Sequence, residues 1–335
     1  MSRRGTSGVT EDDHEGWGRP TRSRPRTKDR PDYSKAAIAI VVTVDRGRYR
    51  CRLEAGGGGA LTATKARNLG RKGVIVGDRV RIVGDLTGEP GTLARIVEVL
   101  DRVTVLRRTA DDDDPFERPI VANADQLVIV TALADPPPRT GMIDRIMVAG
   151  LDAGLDPILC LTKEDLAPAD ELIAAYAPLD IPIVTISPGS PLDELRALLA
   201  GRTSVFIGHS GVGKSTLVNA LIPGTDRATG EVNEVTGRGR HTSTSAIALE
   251  LPNGAGWVID TPGVRSFGLN HVTEASILNA FPDLAAFAAS CPRGCHHETG
   301  TPECGFDAAV NQGALAPERL ESFRRMERAW ATPQY

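Results

Sequence analysis

Apolar and polar positions follow three different rhythms along the chain. Between about residues 36 and 106 they alternate over short runs, IAIVVTVDRG, RYRCRLEA, ALTATKA, DRVRIVG and LARIVEVL, broken by turn signals at Gly56 to Gly59 and Gly88 to Gly91. Five short alternating strands predict a small β-barrel, and Gly77-Asp78 marks a turn ahead of one of them, as in barrels of the OB type. From about Val121 the rhythm changes to near-continuous apolar runs separated by longer helical stretches: DQLVIVTAL, MIDRIMVAGLDAG, DPILCLTK, PADELIAAYAPL and IPIVTIS. That pattern predicts βαβ units and a parallel sheet covered on both faces. It continues through TSVFIGHS, a helix from Lys214, IALEL and GWVIDTPG; after Gly268 the chain reads as helical around a Cys/His cluster.

These shifts divide the 335 residues into four stretches: an Arg-rich tail over 1–35, a barrel over 36–106, an α/β domain over 107–270 and a mostly α segment over 271–335. The tail (RPTRSRPRTKDR) has too little apolar matter to fold and is expected to be disordered. No apolar run approaches the roughly 20 residues that cross a bilayer, so no membrane association is expected. No apolar segment follows Arg3 and Arg4, which makes the cytoplasm the expected compartment and keeps the five cysteines reduced. Net charge is −4, yet residues 36–105 hold 12 Lys or Arg against 7 Asp or Glu. With Tyr49 the only aromatic residue of that stretch, an RNA partner would be held through its backbone by Arg48, Arg50, Arg52, Lys65, Arg67, Arg71 and Lys72. Scattered solvated charge is the alternative.

The strongest chemical signal is GHSGVGKS, Gly208 to Ser215, with an apolar strand before it and a helix after it. Backbone N–H groups of Gly208, His209, Ser210, Gly211, Val212, Gly213, Lys214, Ser215 and Thr216 can close around phosphates. Lys214 would reach the β- and γ-phosphates and Ser215 would offer its hydroxyl to Mg²⁺. The His209 side chain is either a bystander or part of this cradle. DTPG, Asp260 to Gly263, follows the strand GWVI, with Asp260 positioned to hold Mg²⁺ through water and the Gly263 amide to contact a γ-phosphate. Between them GRGRHTSTSA offers Thr242 or Thr244 as a further Mg²⁺ ligand. Val264 stands where Ras-like proteins place the Gln that orients water, which leaves His241 as the candidate for handling that water or its proton; a solvated or RNA-contacting loop histidine is the alternative. Cys291-x3-Cys295-x-His297-x6-Cys304 offers three thiolates and an imidazole, a closed tetrahedral structural Zn²⁺ site, with His296 as the alternative imidazole. Cys51 and Cys160 lie on apolar strands and read as core.

TKED, Thr162 to Asp165, resembles the guanine-recognition motif of GTPases, usually Asn-Lys-x-Asp. The resemblance implies that Asp165 accepts from guanine, that Lys163 lies along the base and that the amide of Ser187, after IPIVTI, sits near the guanine oxygen. Thr162 replaces the usual Asn, which bears on the tethering of neighbouring loops more than on base selection. The motifs occur in circularly permuted order, guanine recognition preceding the P-loop by about fifty residues. With GDRVRIV, NADQLVIV, MIDR, GRGRHTST, DTPGVRSFGL and the Cys/His cluster, residues 36–330 resemble the ribosome small subunit-dependent GTPase A family, the cysteine spacing differing by one residue on each side of the Cys-x-His centre. That resemblance implies an OB barrel, a permuted GTPase domain and a zinc domain. It also implies GTP and Mg²⁺ as ligands, the small ribosomal subunit and its rRNA as partners, and activation by that subunit; nothing in the sequence suggests more than a monomer. An RNA-binding module that uses nucleotide only for stability, and a P-loop kinase, are the rival classes.

Overall fold

The computed structural model describes residues 32–55, 59–70, 73–109, 117–224, 246–264 and 267–332, so the expected tail over 1–35 falls almost wholly outside it. The architecture lies in the unit Ala36–Tyr335. Strands β1 (Ala37–Asp45), β2 (Arg48–Leu53), β3 (Leu61–Lys65), β4 (Arg79–Gly84) and β5 (Ala94–Val99) pair in the closed order β1-β2-β3-β5-β4-β1, parallel at β3–β5 and antiparallel elsewhere. That is the closed five-stranded topology expected of an OB barrel. Alternation sets the two faces: Tyr49 and Cys51 point into a core with Val41, Leu61, Val80, Ile82 and Ile96, while Arg48 and Arg50 stay exposed. Gly77 is forced by packing: at φ +88° its Cβ would lie 1.9 Å from the Ala122 carbonyl oxygen. Beside it, buried Asp78 accepts from the Ile75 amide (2.8 Å) and from Arg102 (2.6 Å), pinning the turn that the sequence marks.

A hairpin, β6 (Val105–Arg108) and β7 (Arg118–Ala122), follows the barrel and was not expected from the sequence. Its strands are four and five residues long, interrupted by Pro119, and carry no alternation.

The remaining strands are β8 (Gln126–Ala132), β9 (Asp156–Thr162), β10 (Ile183–Ile186), β11 (Thr203–Gly208), β12 (Ile247–Glu250) and β13 (Trp257–Asp260). They stand in the order β10-β9-β8-β11-β13-β12, parallel except at β12–β13. Successive residues face opposite cores. Leu127, Ile129, Val205, Ile207 and Ile259 pack under α1 (Thr140–Asp152), whereas Val128, Val130, Phe206 and Val258 pack under α3 (Asp193–Leu199) and α4 (Lys214–Leu221). Both faces are covered, which is why these strands read as unbroken apolar runs. α2 (Asp170–Tyr176) completes the layer. One antiparallel pair, Thr43 with Ile247, joins barrel and sheet, so β1 covers the β12 edge.

The C-terminal segment is helical, as its pattern predicts: α5 (Glu274–Asn279), α6 (Pro282–Ala288), α7 (Gly305–Asn311) and α8 (Pro317–Ala331). Thr273 and Ser276 close a capping box at the start of α5. Phe281, Phe306 and Phe323 meet edge to face with centroids 5.3 and 5.5 Å apart. Among the described residues no helix is long and apolar enough to cross a membrane.

Candidate functional site

The C-terminal ends of β11, β13 and β9 bring the three separated motifs to one edge of the sheet. This is the edge where open α/β sheets bind ligands. Gly208 closes β11, and a Cβ there would lie 2.3 Å from the Val130 carbonyl oxygen. Gly211 and Gly213 take φ of +85° and +87°, so the loop curls and leads straight into Lys214 at the first turn of α4. Ser210 and Thr216 are exposed, Ser215 is partly buried, and the Val212 side chain packs into the core beneath α4. His209 donates from Nδ1 to the Ser210 carbonyl at 2.8 Å, which leaves its ring folded against its own loop.

Phe206 of β11 pairs with Asp260 of β13, placing the DTPG loop beside the P-loop. Lys214, buried, donates its ammonium to the Asp260 carboxylate and to the Thr261 carbonyl. The Val264 amide donates to the Gly208 carbonyl at 3.1 Å, and a Cβ on Gly263 would stand 3.2 Å from Ser210 Cα. Gly208 and Ser210 of the P-loop and Gly263 and Val264 of the DTPG segment therefore touch main chain to main chain. Val264 is 5% exposed, so its side chain is core and offers nothing to a water molecule. His241, Thr242 and Thr244 lie outside the described residues.

Thr162 closes β9 and is buried; its hydroxyl donates to the Val212 carbonyl at 2.6 Å, with the Thr131 carbonyl 3.2 Å away. A short side chain thus ties the TKED loop to the P-loop, the tethering on which its replacement of Asn bears. Lys163 sits at φ +61° and donates its ammonium to the Asp135 carbonyl; Asp165 is exposed. The amide of Ser187 donates to the Ser190 hydroxyl at 3.1 Å within its own turn. The loop after β8 escaped the sequence reading. Pro136 lies 3.6 Å from the position a Cβ on Gly211 would take, and Asp135 receives Lys163, so this loop walls the space between P-loop and TKED. The run ADPPPRT directly after a buried strand was the available signal.

Away from this edge, Cys291, Cys295, His297 and Cys304 bring their ligand atoms within 4.8 Å of one another. The His297 Nδ1 lies 3.6, 3.5 and 3.9 Å from the three Sγ atoms, close to the edge of about 3.6 Å of a tetrahedron with ordinary Zn–S and Zn–N lengths. The Gly305 amide donates to Cys291 Sγ at 3.2 Å, and a Cβ on Gly305 would collide with the Phe287 carbonyl oxygen at 2.6 Å. His297 stacks on Phe306 and its carbonyl accepts from Arg324 at 2.7 Å, which fixes the ring. The donor set and spacing fit zinc, and His297 rather than His296 is the imidazole that converges.

Comparison with known proteins matches this geometry. A sequence model of the RsgA GTPase family covers residues 99–270. A Chlorobaculum parvum protein, "Small ribosomal subunit biogenesis GTPase RsgA", is 36% identical over 298 residues, 86% of this chain and 93% of that one. The chain belongs to the RsgA GTPase family. A family member of the same description from Azotobacter vinelandii is 40% identical over 227 residues, so the match spans just under two thirds of that relative's length, 65% of each chain. Among solved structures, YjeQ from Thermotoga maritima shares 28% identity at a TM-score of 0.66, covering 89% of this chain and 99% of that one. YloQ, described as a circularly permuted GTPase, shares the fold at 23% identity and a TM-score of 0.62, covering 91% and 99%. The permuted order inferred from the motifs is therefore a property of the fold.

Proposed function

We propose that this chain binds GTP with Mg²⁺, hydrolyses it to GDP and phosphate, and assists late maturation of the small ribosomal subunit, which stimulates the hydrolysis. The observation that carries the first half is the convergence of P-loop, Asp260 and TKED at one sheet edge despite their permuted order. Backbone amides from Gly208 to Thr216 cradle the phosphates, Asp165 selects guanine, Lys163 lies along the base and the Ser187 amide reaches the guanine oxygen. Ser215, Asp260 and Thr242 or Thr244 would hold Mg²⁺, which when bound neutralises charge on the β- and γ-oxygens. Lys214, resting on Asp260 and Thr261, would exchange them for the β- and γ-phosphates. The Gly263 amide would report the γ-phosphate.

Because Val264 is buried and apolar, water orientation falls to His241, completed by ribosomal RNA. Supplying a missing element in trans raises phosphoryl-transfer rates by roughly 10³–10⁵. The relatives' description supplies the small subunit as partner. The barrel supports RNA contact: Arg48, Thr64 and Arg95 stand in one row across β2, β3 and β5, and Arg50 is exposed on the same face of β2. Arg52, expected among these contacts, is instead tied to Glu250. The chain is taken to act as a cytoplasmic monomer, with one zinc ion in the Cys291, Cys295, His297, Cys304 cluster stabilising the helical domain.

The test is turnover of GTP and ATP with and without purified small subunits. Slow GTP-only hydrolysis that rises about a hundredfold or more with subunits is expected. Turnover indifferent to subunits would remove the partner, and ATP preference would remove guanine selection.

A further inference from the structure

Asp144 and Arg145, the polar half of the MIDR motif on α1, are not used by the site, yet both are buried. Asp144 accepts from the Tyr176 hydroxyl at 2.8 Å and from Arg325 of α8 at 3.2 Å, and Arg325 lies over the Tyr176 ring. Arg145 has 1% of its surface exposed. Its Nε donates to the Phe267 carbonyl, and one terminal nitrogen donates to the carbonyls of Ala329 and Thr332, all at 2.7 Å. Phe267 lies four residues beyond Gly263. Ala329 and Thr332 end α8, where unpaired carbonyls and the negative end of the helix dipole favour a cation. One rigid fork therefore holds both the segment that follows the DTPG loop and the end of the last helix.

A second, smaller link runs parallel to it. The Trp330 indole of α8 donates to the Val272 carbonyl at 3.0 Å. On the other side the Val264 amide donates to the P-loop at Gly208, and the Thr109 amide, next to β6, donates to the Gly268 carbonyl at 3.3 Å. A shift of Gly263 that reaches Phe267 when the γ-phosphate leaves breaks these bonds or carries their partners along. Donors on α1 and α8 set which happens.

We propose that Arg145 is a positioning residue that couples the segment after the DTPG loop to α8, so that the nucleotide state reaches the zinc-bearing helical domain. This inference rests on the GTPase reading above. A buried guanidinium satisfied by carbonyls from two separate elements is costly to leave half-paired, so the two elements move together.

The experiment is hydrogen exchange of the full chain loaded with GDP or with a non-hydrolysable GTP analogue, alongside subunit-stimulated kinetics. In the unaltered chain, exchange in both the 267–272 segment and α8 is expected to differ between the two nucleotides by about threefold or more. Arg145→Met is expected to keep the difference near Gly263 and lose it in α8, with subunit-stimulated kcat reduced and KM for GTP unchanged. Arg145→Lys should restore part of both. Should Arg145→Met fail to fold, Trp330→Phe, which removes only the indole donor, is expected to shrink the α8 difference without changing GDP affinity. A folded Arg145→Met, or in its absence Trp330→Phe, whose α8 responds as in the unaltered chain would overturn the coupling. So would an unaltered chain whose 267–272 segment responds while α8 does not. No nucleotide response anywhere would instead sink the GTPase reading beneath it.

Discussion

Thr162→Val isolates the tether between TKED and the P-loop. The substitution keeps the volume of a buried residue and replaces the hydroxyl that donates to the Val212 carbonyl at 2.6 Å with a methyl group. The missing donor leaves a polar oxygen unsatisfied inside the folded protein, a cost of about 1–3 kcal/mol. If the cost falls on the phosphate-binding conformation of the P-loop, it appears as a rise in the dissociation constant for GDP of roughly 5- to 150-fold. If it falls on the fold as a whole, the melting temperature drops by several degrees instead. Titration calorimetry with GDP beside thermal unfolding separates the two, and Thr162→Ser, which keeps the donor, should behave as the unaltered chain in both. The tether is refuted by a Thr162→Val protein with unchanged GDP affinity and unchanged melting temperature, measured beside an Asp165→Ala control that has lost guanine binding.

Removing the metal should act on a different part of the molecule. Cys304→Ser is expected to lower zinc content, read by mass spectrometry of the intact protein, and to melt the α5–α8 segment while GDP binding persists, because a structural zinc site contributes its binding energy to folding. Full helical content with no bound metal would remove the ion from the fold. His271 predicts a pH dependence: burial lowers its pKa more than Asp152, 3.9 Å away, raises it. The unfolded chain therefore takes up a proton first as pH falls below about 6.5, so stability is full above that value and declines below it. Urea midpoints at pH 7.5 and 5.5 should differ less in His271→Phe than in the unaltered chain, and an identical difference would discard the assignment. On the barrel, Arg50→Ala or Arg95→Ala should weaken subunit binding and lower the slope of log affinity against log salt by about 1 for each phosphate no longer neutralised. An unchanged slope would move RNA off this face.

Local patterns made the strands of the barrel and the α/β sheet legible, because burial on one face or both writes itself directly into alternation or unbroken apolar runs. P-loop and DTPG were legible for a similar reason: each is a short backbone arrangement whose glycines, hydroxyl and carboxylate must be consecutive, whereas TKED was legible only through its resemblance to the guanine-recognition motif and its place after a buried strand. The cysteine cluster was legible from ligand chemistry. What escaped was set by partners distant in sequence. The parallel β3–β5 pairing that shapes the barrel, the Thr43–Ile247 pair and the three carbonyls under Arg145 have no local signature. In MIDRIMVAGLDAG the apolar spacing predicts α1, but Asp144 and Arg145 look like solvent positions until α8 covers them. Arg52 likewise belongs to an outward row of β2, and its pairing with Glu250 and the Trp257 ring has no local signature.

Permutation changes what the DTPG loop is attached to without changing the sheet. Strand pairing and two-sided burial stabilise β12-β13-β11-β8-β9-β10 whichever strand is made first, so relocated termini leave the phosphate edge intact. Connectivity is what differs. When the P-loop strand opens a sheet, the chain leaving DTPG returns to further strands of the same sheet. Here β13 is the last strand, and the chain beyond Gly263 passes to Phe267, Gly268 and Val272, held by donors from α1, the β6–β7 hairpin and α8. On the opposite side β12 meets the barrel through the Thr43–Ile247 pair, and Arg52 reaches Glu250 of β12 and the Trp257 ring of β13. The strand that follows the segment bearing His241, Thr242 and Thr244 and the strand that leads into DTPG therefore each touch the barrel. Removing either set of bonds should alter nucleotide response in the domain those bonds reach while leaving guanine selection, built on the far strands β9 and β10, unchanged.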